Sequence, residues 1–388
     1  MPHSIKPSIP IIYYHSVGPV NPGWKRNFLT LELPFFEDQL KYFKNNFNLI
    51  SLKAFYNIRA GLQNSPKKPL VITIDDGYLD NWIWAFPMLK KYDIPATLFV
   101  NPEMADPRNL IRPNLEDYWT GNVSLEDLNL PGHLSWEEMK KMEASGLIDI
   151  QSHTMSHTKY FVSGKLEGFH HPGEDVLYAA GNRFLNQKPF HIANPKFERL
   201  LLYGFPLFEE RSSIIAKKIE INPDFVNQCV STLSHYNFNH YNFRDAFKLV
   251  APVYQQYLDN HSLIVAVEDE EAYKKRITYE IMESKKIIER KLGKKVEFLC
   301  WPHGDHNATA HQLAIQGGYL ATTSGSKQNT PDCLERIPTR IGIFHVRHNR
   351  LLSLLKVRYK LGCYLGRPPW KDIQRLYHLF KTQNVSRG

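Results

Sequence analysis

The stretch VITIDDGYLDN, Val71 to Asn81, ends an apolar run in two adjacent carboxylates and follows them at once with a glycine. The five residues Leu70–Ile74, LVITI, read as a buried strand, Asp75 and Asp76 close it, and Gly77 lets the chain turn sharply there. Two ionised carboxylates this close repel each other unless a cation sits between or beside them. A turn that merely tolerates acids is one reading and a cation site is the other, so the decision rests on the rest of the chain.

Short apolar runs alternate with helical patterns on both sides of this stretch. IPIIYYHSV (Ile9–Val17), IPATLFV (Ile94–Val100) and LIDIQS (Leu147–Ser152) read as further strands. FFEDQLKYFKNNF reads as an amphipathic helix with Phe36, Leu40 and Phe43 on one face, and NWIWAFPMLKKYD as a helix despite Pro87. SWEEMKKMEASG reads as a helix with Ser135 as its N-cap and Gly146 as its stop. Strand, helix, strand in repetition predicts an α/β fold with a parallel sheet, in which functional residues gather at the carboxyl ends of the strands.

The rhythm breaks after about residue 160, where turn residues, Pro and aromatics dominate, and a helical pattern follows through DFVNQCVSTLSHYNF and FRDAFKLVAPVYQQYLDN. It resumes near residue 270 with a long charged helix ended by Gly293 and a strand from Val296 to Trp301. Residues 160–270 are therefore expected to be a large, partly helical insertion within a domain spanning 8–345. Its densest aromatic run, LSHYNFNHYNF (Leu233–Phe243), suits either a core or the apolar faces of sugar rings.

The 388 residues, 43% of them hydrophobic, suffice for a full core and exclude a disordered or fibrous chain. Cys229, Cys300, Cys333 and Cys363 are far apart and form no CxxC pair, which points to a reducing compartment. No leader pattern and no apolar run of about 20 residues is visible, so a cytoplasmic location is expected. The net charge of +9 sits in the tail: Val346 to Gly388 holds ten Lys/Arg against one acid, Asp372. This segment, which includes LLSLLKVRYKLGCYL, reads as a basic helical tail, packed on the body or resting on an anionic membrane at the inner face. No basic-plus-aromatic recognition motif accompanies the charge, so no nucleic-acid partner is expected.

SHTMSHT places His153 and His157 four apart just after a strand, where one turn brings both imidazoles to one side. Two histidines and a strand-end carboxylate suit a divalent metal with positions left open for water, as catalytic sites require. Together the two motifs make a metal site the favoured reading of Asp75 and Asp76.

These motifs resemble those of the polysaccharide deacetylases, the NodB-homology or carbohydrate esterase family 4 proteins. TIDDG (Thr73–Gly77) is similar to their T-F-D-D-G motif, and SHTMSH (Ser152–His157) resembles their second motif, a pair of histidines with Ser/Thr between them. The resemblance covers roughly 10–160 and 270–345, in the same order of elements. It implies a distorted (β/α) barrel of about seven parallel strands and a hydrolase of carbon–nitrogen bonds that releases acetate from N-acetylated sugars or glycans. By the same resemblance Asp75 is the general base, and Asp76, His153 and His157 hold one divalent ion, with Zn²⁺ expected and Co²⁺, Ni²⁺ or Mn²⁺ as alternatives. The third motif departs from the family. CWPHGDHN (Cys300–Asn307) lacks the usual arginine, which leaves Trp301, Pro302 and His303 as candidates for shaping a substrate groove. HGDH within it reads as a helix-capping turn or a second metal cluster. The general acid implied by the family falls on His345 in IGIFH, with His303 as its rival. Arg336 in LERIP resembles an arginine that pairs with a catalytic carboxylate, and Tyr14 and His15 end the first strand beside the expected site.

Overall fold

A computed structural model describes residues 9–325, 333–342 and 349–373. Eight strands form one continuous path: β1 (Ile11–Tyr14), β2 (Pro69–Ile74), β3 (Ala96–Val100), β4 (Ile148–Ser152), β5 (Phe298–Leu299), β6 (Ala321–Thr323), β7 (Arg336–Ile337) and β8 (Ile341–Gly342). Their spatial order is β7-β6-β5-β4-β3-β2-β1-β8, and every neighbouring pair is parallel. A short strand, Asn48–Leu49, pairs with the start of β2. The expected parallel barrel is present, one strand richer than the sequence suggested.

The two edges of this sheet are consecutive in the chain. Residues 338–340 join β7 at one edge to β8 at the other, and four Cα steps span at most about 14 Å. The sheet therefore curls into a half-barrel whose seam is bridged by three residues. The strands are buried on both faces, as parallel sheets require, with Ile12, Ile72 and Leu98 on one side and Ile11, Val71 and Phe99 on the other. Helices α1 (Leu33–Asn46), α2 (Trp136–Ala144) and α3 (Glu270–Leu292) cover the outer face. Phe36, Leu40 and Phe43 of α1 are fully buried, each removing about 1.5–3 kcal/mol worth of apolar surface from water.

Local sequence explains how these elements start and stop. Ser135 Oγ accepts from Glu138 N, and the Glu138 carboxylate accepts from Ser135 N, a capping box that opens α2. Gly293 ends α3 in the left-handed region at φ 67°. The helix expected across Pro87 divides in two, a π-helical turn over Asn81–Ala85 and a helix over Phe86–Lys91, with Pro87 in the first turn, where no intrahelical N–H is needed.

The segment after β4 stays off the sheet. It holds an antiparallel pair, Lys159–Phe169 with Pro206–Ser212, a smaller one, Ile219–Ile221 with Ile264–Val267, and helices Pro223–Thr232 and Phe243–Asp259. Phe169, Phe208, Phe225 and Leu233 make its core, with Tyr241 and Phe243 packed at the margin. The strands escaped sequence reading because their residues are aromatic and polar in no strict alternation. In the tail, α4 (Arg350–Tyr364) buries Val357 and Leu361, and Arg350 pairs with Asp38 of α1 at 2.6 Å.

Asp80 follows the motif of the opening stretch, and burial pushes its carboxyl up to about 7, against hydrogen bonds from Ser16 and Asn81 that hold it down. The folded state thus binds this proton more tightly than the unfolded chain. The group's contribution is full below its ordinary range near 4 and is lost as the pH rises through about 7. Urea unfolding of Asp80→Asn and the parent across pH 4–8 should show the stability difference moving steadily in the variant's favour as the pH rises; a pH-independent difference would contradict a buried, raised carboxyl.

Candidate active site

The carboxyl ends of β2, β4 and β5 meet the β7–β8 connection around one cavity of about 670 Å³. Asp75 and Asp76 leave β2 and are 3% and 8% exposed, a depth at which carboxylates need strong partners. Asp76 is held at φ 76° and Gly77 at φ 65°; a Cβ on Gly77 would lie 3.1 Å from Val100 Cγ1, so the glycine satisfies both the turn and the close approach to β3. Thr154, His157 and His303 also take positive φ, which concentrates backbone strain at this end of the sheet.

Asp76 Oδ1 faces His153 Nε2 at 3.1 Å and His157 Nε2 at 3.2 Å. His153 Nδ1 lies 2.8 Å from the Cys300 carbonyl oxygen, which can only accept, so Nδ1 carries a proton and Nε2 is the ring nitrogen turned to Asp76. Asp76 Oδ1 itself is buried and receives no hydrogen bond. Three possible ligand atoms, Asp76 Oδ1 and the two Nε2 atoms, turn towards one point within 4.8 Å of one another, an arrangement in which a cation can sit. One carboxylate and two imidazoles are a donor set suited to a divalent transition metal, so the residues present fit the ion that the motifs imply. Burial opposes ionisation of Asp76, and the facing imidazoles of His157 and His153 overcome it and hold the carboxyl well below its usual range.

Asp75 has a different partner. Arg340, in the seam between β7 and β8, grips it in a fork: Nη1 to Oδ1 and Nη2 to Oδ2, each 2.7 Å. The guanidinium also reaches Thr73 Oγ1 and Cys300 Sγ, each at 3.0 Å. Burial pushes the Asp75 carboxyl up, but Arg340 outweighs it and leaves the group below the ordinary carboxylate range. The result is two adjacent carboxylates with separate duties, one turned to a cation site and one kept ionised beside it.

Three comparisons with known proteins bear on this arrangement. The family model described as polysaccharide deacetylase matches residues 62–171, which include both motifs. That segment belongs to the polysaccharide deacetylase family. The chain is 29% identical over 150 residues to YxkH of Bacillus subtilis, and 32% identical over 123 residues to a poly-beta-1,6-N-acetyl-D-glucosamine N-deacetylase of Staphylococcus aureus. The matches take in 38% and 31% of this chain and span 43% and 35% of those relatives. Among solved structures, the deacetylase domain of BpsB from Bordetella bronchiseptica aligns with a TM-score of 0.51 at 17% identity, covering 86% of this chain and 96% of that domain. The half-barrel is thus the fold of the polysaccharide deacetylases.

Beyond the matched segment, the site depends on residues that no motif announced. Glu280 of α3 is buried under the loop between the two histidines, where its carboxylate accepts from Met155 N at 3.2 Å, Ser156 N at 3.0 Å and Ser156 Oγ. Arg340 takes the carboxylate that Arg336 was expected to hold; Arg336 lies four residues earlier in β7, does not line the cavity, and has a buried Nη1 without a partner. The arginine absent from the third motif is met by the same residue, since Arg340 reaches Cys300 from the neighbouring connection. Helical or strand periodicity carries no trace of it, because two-residue strands flank it.

The other expected residues divide. Trp301 and His303 line the cavity, whereas Pro302 is buried and does not line it. The His303 ring sits 4.6 Å from His157 on a residue that keeps solvent exposure, and desolvation by the cavity wall, with His157 and Lys159 near it, lowers its imidazole below the ordinary range. His345 lies outside the described residues. HGDH joins no metal-ligand cluster among the described residues; Asn307 after it caps the helix Ala308–Gln316 by accepting from Ala310 N at 2.8 Å. His15 lines the cavity, while Tyr14 donates to Gln39 Oε1 at 2.6 Å within the core.

Removing the Arg340 fork should raise the Asp75 pKa, because burial then loses its main opponent and only the weaker influence of His153 and His15 remains. For Arg340→Gln, the acid limb of the kcat/KM–pH profile for acetate release should move to higher pH, with activity at its plateau reduced about 10²-fold. Arg340→Lys, which offers one point charge in place of the fork, should restore only part of it; an unmoved acid limb would assign Asp75 another proton-holding partner.

Proposed function

We propose that this chain is a metal-dependent N-deacetylase that hydrolyses the acetamide of an N-acetylated glycan or sugar intermediate, releasing acetate. The observation that carries the reading is the pairing at Asp75 and Asp76: a buried carboxylate oxygen facing the Nε2 atoms of two imidazoles, next to a second carboxylate held ionised by Arg340. A divalent ion, for which we propose Zn²⁺, supplies Lewis acidity towards an amide carbonyl and acidity to water.

The chain's own residues do the rest. Asp75 accepts a proton from the attacking water, and Arg340 keeps it in the form able to do so. His153 is fixed in one tautomer by the Cys300 carbonyl, and Glu280 holds the loop that carries His157. Water adds to the carbonyl carbon as Asp75 takes its proton, the C–N bond breaks as that proton passes to the leaving nitrogen, acetate leaves with the water's oxygen, and the sugar keeps a free amine. The cavity volume of about 670 Å³ lies within the roughly 300–1,000 Å³ of small-molecule sites. The staphylococcal relative is named for a β-1,6-linked N-acetylglucosamine polymer, and we take that sugar as the first substrate to test.

The alternative within the same chemistry is a non-sugar amide, and a glycan-binding protein without turnover is the alternative outside it. Acetate release from N-acetylglucosamine oligomers should be abolished by a chelator and restored by Zn²⁺. Asp75→Asn should bind one divalent ion in calorimetry while losing about 10²–10⁴-fold in turnover. Asp76→Asn and His153→Ala should lose the ion itself. Release that resists the chelator would overturn the metal mechanism, and turnover of simple amides alone would overturn the sugar.

We also propose that the tail contacts an anionic membrane surface. Leu351, Leu352 and Leu355 of α4 are 75%, 49% and 40% exposed on a helix that carries Lys356 and Arg358. Sedimentation with phosphatidylglycerol vesicles should remove the protein from solution at low salt, and neutral phosphatidylcholine vesicles should not; a chain truncated before Arg350 should stay in solution with both.

A further inference from the structure

The insertion was expected to be an appendage, yet it places a tyrosine in the reaction cavity. Tyr178, in the short helix Leu177–Gly181, lines that cavity with Asp76, His157 and His303 and is 7% exposed. It lies beyond the matched residues 62–171, so no motif of that segment accounts for it.

Neighbouring side chains aim its hydroxyl. Arg26 Nη1 donates to it at 3.0 Å, and Arg26 Nε is held by Asp175 Oδ2 at 2.7 Å. Asp175 Oδ1 in turn accepts from Leu177 N at 3.1 Å, so the arginine and the tyrosine are tied to one turn of chain. A guanidinium only donates, so the phenolic oxygen is the acceptor here and its own proton points elsewhere. The other hydrogen-bond partner of the hydroxyl among the described residues is His303 Nε2 at 3.4 Å, beyond the roughly 2.7–3.2 Å of a well-formed bond. Burial pushes the phenol up to about 12, against the pull of Arg26, so the group keeps its proton at neutral pH. Accepting from a guanidinium also polarises the hydroxyl towards donating.

This poorly used donor stands near the cation site. The His303 ring links the two, 4.6 Å from the ring of His157 and 5.9 Å from that of Tyr178, and His157 Nε2 faces Asp76 Oδ1 at 3.2 Å. A fixed, protonated donor in a cavity that excludes much of the solvent stabilises negative charge that develops beside it, without reorganising when the charge appears.

We propose that Tyr178 is a catalytic residue whose hydroxyl donates a hydrogen bond to the amide carbonyl oxygen as that oxygen gains negative charge, with Arg26 as its positioning residue. This rests on the deacetylase reading of the cavity and adds to it a donor supplied by the insertion. As the water oxygen adds to the carbonyl carbon, the π electron pair of the C=O bond moves onto the carbonyl oxygen, where the Tyr178 hydroxyl meets it. The pair returns when the C–N bond breaks. No proton leaves the phenol, so the tyrosine is unchanged after each turnover.

Tyr178→Phe removes the hydroxyl and keeps the ring. In acetate release from N-acetylglucosamine oligomers, kcat should fall about 10²–10³-fold while KM stays within about threefold of the parent. Divalent-ion binding by calorimetry and the thermal unfolding midpoint should not move. Arg26→Met should lower kcat about tenfold on its own and little further in the Tyr178→Phe background, because its effect passes through the hydroxyl. Fluorinated tyrosines at position 178, being more acidic, should bring a basic limb into the kcat–pH profile that moves to lower pH with added fluorine, a readout that a structural role would leave still. Full kcat in Tyr178→Phe, or a raised KM with kcat intact, would overturn the role of Tyr178 and leave the deacetylase reading standing. Should Tyr178→Phe prove unfolded, the fluorinated series decides alone, and a profile unmoved by fluorine would overturn the role. Absence of acetate release by the parent protein from every oligomer would overturn the deacetylase reading and this role with it.

Discussion

The ion pair between Arg340 and Asp75 crosses the seam of the half-barrel, and the site is organised around it. Taking a guanidinium and a carboxylate out of water costs several kcal/mol each, and the bidentate geometry offsets that cost only while both partners remain. The pair therefore does two jobs with one contact. It draws the three-residue connection between β7 and β8 onto the centre of the sheet, and it keeps Asp75 ionised at a depth where burial alone would protonate it. Thr73 and Cys300 complete the cradle, so β2, β5 and the seam register on one guanidinium.

Around that pair the backbone is strained where the chemistry is. Asp76, Thr154, His157 and His303 all adopt positive φ, a conformation that costs a non-glycine residue on the order of 1–3 kcal/mol. Burial and hydrogen bonds hold it. Asn101 Nδ2 donates to the Thr154 carbonyl at 3.2 Å, and Glu280 collects the amides of Met155 and Ser156. The two imidazoles are thereby presented to Asp76 before any ion arrives, so little ordering is left to accompany binding.

The insertion is tied into the same region. Lys188, fully buried within it, pairs with Glu103 at 2.8 Å just beyond β3, and Glu103 N donates to Met155 O at 3.1 Å in the histidine loop. Asn182 Nδ2 donates to the Lys159 carbonyl at 2.8 Å and its Oδ1 accepts from Thr158 Oγ1 at 2.5 Å, immediately after His157. An appendage would not need a buried lysine at its root. These contacts make the insertion part of the wall around the site and explain how its Tyr178 comes to stand beside His303.

The amino-acid sequence by itself determined the parallel α/β rhythm, the helix caps, the three residues of the cation site and the carboxylate beside them. Each is written in local spacing: apolar runs ending in Asp75–Asp76, histidines four apart, Ser135 three before Glu138, a glycine where the helix stops. It pointed to Arg336 where the fold uses Arg340, because a carboxylate's partner is chosen by reach across the sheet and not by distance along the chain. Glu280, Cys300, Tyr178 and Arg26 were equally silent, lying on four different segments between 26 and 300. Only the curling of the sheet, which brings its two edges to within one short connection, decided that these residues share a site. That curvature is a property of eight strands packed together and belongs to no one of them.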